Sequence, residues 1–308
     1  MDMYQKRKMR AEKKSKEDES KKFSSVTINW YPGHMAKTKK QIIEDLKLID
    51  VVIELLDARI PRASHNPDME KLTKNKKKLI VLNKSDLADE KENQKWVNYY
   101  AKNGQTAVLV DANSGKGVAE SIQKIKIMMQ GELKKQAEKG KIGKTIRVMI
   151  LGIPNVGKSS YINRVTKKTS AKVGNKPGVT RQKQWIRLEE SIELLDTPGV
   201  LWPKLDSEEI ALNLAYTGSI KDDILEKTEI AYQLLNYLVQ NYKSNLETRY
   251  KLEIGEETIL DLMEMIGRKR GAIVSGGRVD LEKVSNLVLD DFRSGKLGRM
   301  TLEKVEES

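Results

Sequence analysis

The chain has no cysteine, two histidines and two phenylalanines among its 308 residues, and these scarcities remove whole classes of chemistry. Without thiols there is no disulfide framework, no thiolate zinc site and no cysteine nucleophile, which agrees with a reducing compartment. No apolar run reaches the ~18 residues needed to cross a bilayer. The opening segment "MDMYQKRKMRAEKKSKEDESKK" is charged and lacks the apolar stretch of a signal peptide. These absences lead us to expect a cytoplasmic location and no membrane partner. The hydrophobic fraction of 38% still suffices for a real core, enough for one large domain and a smaller one.

Acidic residues are scarce in one stretch. From Gly131 to Arg187 there are fifteen Lys and Arg against Glu132 and Glu138 alone, whereas from Leu225 onward thirteen basic residues meet fifteen acidic ones. The net charge of +13 is therefore concentrated mid-chain, as expected of a surface that meets a polyanion such as nucleic acid. A solvated lysine-rich surface is the alternative.

Residues 1–24 mix Lys, Glu and Ser without hydrophobic periodicity and read as a basic flexible extension. Apolar runs at 48–58, 77–83 and 106–112 alternate with helical patterns, predicting a parallel α/β sheet. A long amphipathic helix over 117–136 and a Gly/Lys linker over 138–144 lead to a second set of strands at 145–152, 184–189 and 191–199. Beyond residue 220 the pattern is helical, with Ile224, Tyr232, Leu235, Leu238 and Tyr242 spaced as a buried stripe. The expected division is an α/β domain over 25–219 and a smaller all-α domain over 220–308.

"GIPNVGKSS" (152–160) satisfies the P-loop pattern between a hydrophobic strand and a helix. Asn155, Val156, Gly157, Lys158, Ser159 and Ser160 would wrap phosphates, Lys158 reaching the β and γ oxygens and Ser159 ligating Mg²⁺. Asp196-Thr197-Pro198-Gly199 ends a later strand. Its carboxylate would approach the Mg²⁺ through water, and the Gly199 N–H would sense a γ-phosphate. Thr180, in "NKPGVTRQ" (175–182), can offer a second hydroxyl to Mg²⁺ from a loop able to reorder.

"NKSD" (83–86) reads as a guanine reader: the Asp86 carboxylate can accept from N1–H and the 2-amino group, a pair adenine does not offer. Asn83 would brace neighbouring loops, Lys84 would lay its stem over the ring, and Ser85 completes the loop. "DAN" (111–113) would complete the GTP/GDP site with Asp111, Ala112 and Asn113, the Ala112 N–H facing the guanine oxygen. The base-reading loop thus precedes the phosphate loop, the reverse of the usual order. One economical arrangement accounts for this: a Ras-like α/β sheet, circularly permuted, with the former C-terminal helix joined to the P-loop strand through 138–144.

Together "INWYPGHMAKTKKQI" (28–42), "DARIPRASHNP" (57–67), the P-loop, "NKPGVTRQKQW" (175–185), "LLDTPGVLWPK" (194–204) and "GRKRGAIVSGG" (267–277) resemble the RbgA/YlqF family of ribosome biogenesis GTPases. The likeness runs from about Ile28 onward and departs at 1–24. It implies a circularly permuted GTPase acting in late assembly of the large ribosomal subunit, with a helical C-terminal domain that contacts rRNA and a monomer off the ribosome. Where many GTPases place a water-orienting Gln this chain has Val200, so the resemblance makes His34 a candidate for positioning water, beside a purely structural role. Candidate catalytic residues are then His34, Lys158 and Thr180. Asn155 resembles the asparagine that binds K⁺ in related GTPases, although it equally suits a turn. Hydrolysis that releases the protein from a pre-ribosomal particle and a GTP-gated RNA-binding module with incidental hydrolysis share this one site. Arg268, Lys269 and Arg270, with Arg293, Lys296 and Arg299, are expected to form a local RNA face.

Overall fold

The computed structural model describes residues 34–140, 143–170, 185–189, 191–202, 205, 207–222 and 225–305, and the side chains of all these except 34–36 and 167–170. The extension 1–24, Thr180 and the His34 side chain lie outside that description. Of the described residues, 207–298 form one compact unit, and those up to 205, joined by 299–305, form the other.

The larger unit is built on six strands: β1 (Val51–Asp57), β2 (Lys77–Asn83), β3 (Thr106–Leu109), β4 (Ile146–Leu151), β5 (Trp185–Glu189) and β6 (Ile192–Leu195). They lie in the order β3-β2-β1-β4-β6-β5. All neighbouring pairs are parallel except β5 with β6. β1 is paired on both sides and all seven of its residues are buried; it reads as an apolar run interrupted by Glu54 and ended by Asp57. Helix α1 (His34–Leu46) leads into β1, and α2 (Pro67–Thr73), α3 (Glu90–Lys102), α4 (Val118–Glu138) and α5 (Lys158–Ser170) connect the strands. Starting the count at β4, the phosphate-loop strand, gives the Ras-like order with its one antiparallel edge strand. The expected circular permutation is thus written in the sheet itself.

Parallel pairing carries the C-terminal ends of β1, β2, β3, β4 and β6 to one edge of the sheet, where ligands of open α/β sheets bind. Asp57, Asn83, Asp111, Gly152 and Asp196 all sit at or just after those ends.

The second unit holds α6 (Glu208–Tyr216), α7 (Lys227–Asn241), α8 (Lys243–Tyr250), α9 (Ile259–Arg270) and α10 (Leu281–Arg293). Thr258 and Asp261 make a reciprocal capping box at the start of α9, and Gly271, at φ +69°, ends it. Two expectations need correcting. The unit begins at 207 rather than 220, because α6 packs with α7 and α10. It ends at 298, because the last described residues return to the sheet unit. In α7 the stripe residues Leu235 and Leu238 are buried, but Ile230, Ala231 and Leu234 share that face while Tyr232 and Tyr242 are only half-buried. Ile224 lies outside the described residues.

Candidate functional site

The phosphate and base loops are joined by one buried side chain. Asn83, at the end of β2, donates from Nδ2 to the Val156 carbonyl at 2.9 Å and accepts at Oδ1 from the Ala112 N–H at 3.2 Å. It thereby ties "NKSD", the P-loop and "DAN" into one body. The fit is close: a Cβ on Gly157, which has φ +95°, would lie 2.3 Å from Asn83 Nδ2. Lys84 makes the second tie. Held at φ +57°, it donates from Nζ to the Asn155 carbonyl at 2.7 Å and pairs with Asp57 at 3.0 Å. An ammonium anchored at its far end leaves the methylene stem stretched from the base loop toward the P-loop. That is the posture needed to cover a ring.

Asp57 and Arg59 support this arrangement from inside. Both are 1% exposed, and Arg59 donates from Nε at 3.0 Å and Nη2 at 2.8 Å to the two carboxylate oxygens. Burial alone would push the Asp57 carboxyl up, but Arg59 and Lys84 overcome it and hold the group well below the usual range. Lys84 is pushed down by burial and by Arg59, with Asp57 opposing. The sequence contains this pair in "DAR", yet the motif gave it no role; an Asp-x-Arg at the end of a buried apolar strand is the available signal, since such charges are kept inside only when paired.

Lys158 is buried and folds back onto the P-loop, donating from Nζ to the carbonyls of Gly152 and Ile153, both at 2.9 Å. Burial pushes its ammonium down to about 8, against the pull of Asp196. Burial likewise raises Asp196, against Lys158 and the Thr197 N–H. A desolvated cation beside a reluctant carboxylate gains most from an incoming phosphate. Gly199 is where a side chain cannot go: its Cβ would meet Lys158 Nζ at 2.8 Å and the Pro154 N at 2.9 Å. The Val200 N–H reaches the Gly152 carbonyl at 3.3 Å, and the Val200 carbonyl accepts from Asn66 Nδ2 at 2.9 Å. Asn66, which also caps α2, is a positioning residue the sequence did not reveal.

Ser159, Ser160 and Asp196 are exposed at the mouth of the loop. Among the described residues no cluster of three His, Cys, Asp or Glu could hold a metal alone. Ser159 as a direct ligand, with Asp196 reaching it through water, fits a cation whose remaining ligands are phosphate oxygens and water.

Two base-site expectations look different in three dimensions. The Ala112 N–H is engaged by Asn83 rather than facing outward. The Asp111 carboxylate accepts from the Asn113 and Ser114 N–H groups at 2.8 and 3.1 Å; these bonds outweigh burial and keep it below its ordinary value. Asp111 therefore shapes its loop. Asp86 is exposed at the tip of its own loop, raised by burial and by Asp111 and lowered by Arg59 and Arg299. Ser85 contributes backbone, its N–H donating to Val110 and its carbonyl accepting from Asn93.

In the basic cluster of the helical unit Arg268, Lys269 and Arg270 are all exposed, and Arg270 also donates to the Arg249 carbonyl at 2.6 Å and stacks over Tyr250. Arg293 is committed to Asp222 at 2.8 Å, Lys296 lies 3.8 Å from Asp291, and Arg299 belongs to the sheet unit.

Comparison with known proteins adds the family. A family model described as a 50S ribosome-binding GTPase matches residues 147–265. It begins at the phosphate-loop strand, so the permuted base loop falls before it. Ribosome biogenesis GTPase A of Bacillus cereus is 45% identical over 92% of this chain and 95% of that protein. Its counterpart from Thermotoga maritima is 32% identical over 91% of this chain and 95% of that one. The GDP-bound structure of TM YlqF matches at a TM-score of 0.64 and 29% identity, covering 87% of this chain and all of that one. The GNP-bound YlqF from T. maritima matches at 0.61 and 29% identity, covering 88% and all respectively.

Proposed function

Because the chain belongs to the ribosome biogenesis GTPase A family and is a circularly permuted GTPase, we propose that it acts in assembly of the large ribosomal subunit, binding the precursor particle and its rRNA according to nucleotide state. The observation that carries the nucleotide half is the Asn83 clasp, which makes one recognition surface from a base loop and a phosphate loop 73 residues apart in sequence. Asp86 reads guanine, Lys84 covers the ring, and Asn83, Ser85, Asp111, Ala112 and Asn113 hold the base loops in shape. Asn155, Val156, Gly157, Lys158, Ser159 and Ser160 hold the phosphates.

When bound, Mg²⁺ supplies charge neutralisation for the β and γ oxygens. Ser159 and Thr180 would hold it directly and Asp196 through water. K⁺ is proposed at Asn155, an exposed P-loop residue in the left-handed conformation at φ +58°. Val200 carries no polar group, and water positioning is proposed for His34 of α1 because the family resemblance implies it. The protein is proposed to be cytoplasmic and monomeric off the ribosome; no helix of the described residues is long and apolar enough to cross a membrane.

Single-turnover hydrolysis with and without large-subunit particles tests the reading. Acceleration by the particle, lost in His34→Ala with nucleotide affinity spared, is expected. An equal rate with and without particles would leave a GTP-gated binding module instead.

A further inference from the structure

The last described residues hold the base-reading loop from behind. Arg299 donates from Nε to the Ala88 carbonyl at 2.7 Å and from Nη2 to the Ser85 carbonyl at 3.2 Å. The Met300 N–H donates to the Leu87 carbonyl at 2.9 Å, and Thr301 Oγ1, wholly buried, accepts from the Asp89 N–H at 3.0 Å. Four backbone groups of residues 85–89 are thus met by three consecutive tail residues, and Asp86 lies between two of the carbonyls they hold.

The same tail reaches the Asp57–Arg59 pair. The Leu302 N–H donates to the Arg59 carbonyl at 2.9 Å. The buried Glu303 carboxylate accepts from the N–H groups of Arg62 at 2.6 Å and Ala63 at 3.0 Å. Its carbonyl takes the indole N–H of the fully buried Trp96 at 2.9 Å. Val305 packs on the cluster of Leu56, Ala58, Leu82 and Trp96. A carboxylate buried on two backbone amides is a specific anchor, since an unmatched one would be costly.

We propose that the tail Arg299–Glu303 is a positioning element for guanine recognition: it fixes the loop that carries Asp86, while through Arg59 it steadies Asp57 and hence Lys84. Arg299 plays the leading part, because it holds the carbonyls before and after Asp86 with a single rigid guanidinium. Its positive field also helps keep the Asp86 carboxyl ionised, the form that accepts from guanine. The proposal rests on Asp86 being the guanine carboxylate.

The test compares GDP with IDP, which lacks the 2-amino group, on the full-length chain. Fluorescence-monitored binding is measured for the unmodified protein and for Arg299→Ala, Arg299→Lys, Thr301→Val and Asp86→Asn, and GTP hydrolysis is split into kcat and KM. Arg299 is an exposed side chain, so Arg299→Ala should keep the fold, which its melting profile verifies. A displaced Asp86 loses the 2-amino contact first. The expected result is that Arg299→Ala weakens GDP about tenfold, as for one charge-assisted bond, and IDP much less. The preference for GDP over IDP therefore shrinks, KM rises at constant kcat, and Arg299→Lys recovers part of the preference. Thr301→Val should act in the same direction. A full GDP preference in both Arg299→Ala and Thr301→Val, with Asp86→Asn having lost it, would overturn the tail's role while leaving the base reading intact. No preference in the unmodified protein would overturn both.

Discussion

Asn83→Ala should separate the two halves of the nucleotide site. The substitution removes the donor to Val156 and the acceptor for Ala112, whose residues are 1% and 5% exposed, so neither backbone group can turn to bulk water. Each orphaned buried group costs about 1–3 kcal/mol, so the loss is about 2–6 kcal/mol before any relaxation. For a unit of this size each kcal/mol lowers Tm by about 2–4 °C, which predicts a fall of about 5–20 °C in the transition of the sheet unit. Nucleotide affinity should fall with it, by about tenfold or more, because base and phosphate loops no longer share a frame. Scanning calorimetry and fluorescent GDP titration measure the two effects. Asn83→Asp sharpens the test: it keeps the acceptor for Ala112 but turns a carboxylate toward the Val156 carbonyl, so it should be no better than alanine. Unchanged Tm and GDP affinity in Asn83→Ala would refute the idea that this side chain joins the loops.

Asp86→Asn replaces an acceptor with a donor at the guanine edge; GTP should weaken and xanthosine triphosphate should gain, and equal binding of ATP and GTP by the unmodified protein would end the assignment. Gly199→Ala puts a Cβ within 3.0 Å of Lys158 Nζ and the Pro154 backbone, an overpacking of about 1–3 kcal/mol. Hydrolysis should fall by about tenfold or more with GDP affinity less affected, and a wild-type rate would show that the loop yields freely. His65 sits between Glu54 at 2.6 Å and Glu70 at 3.1 Å, with Lys78 on Glu54 at 3.2 Å, and its pKa is raised: burial opposes the charge, but both carboxylates outweigh it. A raised folded value means stability present below the ordinary 6.5 and lost as pH rises through the folded pKa, so Tm should decline over that window and His65→Gln should flatten the decline. For RNA, neutralising the exposed Arg268 and Lys269 should reduce the salt slope of particle co-sedimentation by up to about two units, and an unchanged slope would remove them from the contact.

The strands were legible because burial on both faces leaves an unmistakable apolar run: "KKLIVLN" is β2 to the residue. The permutation was legible because the base and phosphate motifs are local and their order is explicit. Asn83 was legible as a brace, since its partners lie in the other motifs. What escaped reading depends on contacts far apart in sequence. Nothing local in "RMTLEKV" says that Glu303 will bind amides 240 and 241 residues earlier in the chain. Its three charged residues and lack of periodicity gave no reason to separate it from the helical domain over 220–308. The domain boundary was misplaced for a related reason: α6 is short, and only its packing on α7 and α10 assigns it to the helical unit. Arg293 and Arg299 looked like surface cations because charge alone does not reveal that Asp222 and the backbone of the base loop have already claimed them.

Chain connectivity gives these buried details a shared consequence. In the sheet unit the Asp196–Gly199 loop is seated on the P-loop through Gly199 and Val200, and the chain runs from it into the helical unit only a few residues later. At the other end the helical unit leads straight into Arg299, which holds the base loop. An appended domain is ordinarily tethered once, so a loop change at its single attachment can be lost in linker flexibility. Here both covalent attachments pass into anchored segments of the sheet unit, one seated on the P-loop and one behind the "NKSD" loop. If GTP and GDP differ in affinity for two arrangements of the phosphate loop, such a doubly attached unit would be biased with it, and by reciprocity whatever binds that unit would alter nucleotide affinity by the same factor, which GDP and GTP-analogue titrations with and without the particle would measure. Permutation is what makes this possible: moving the chain start ahead of the base-reading strands frees the far end of the DTPG segment to lead outward and lets the tail return behind the base loop.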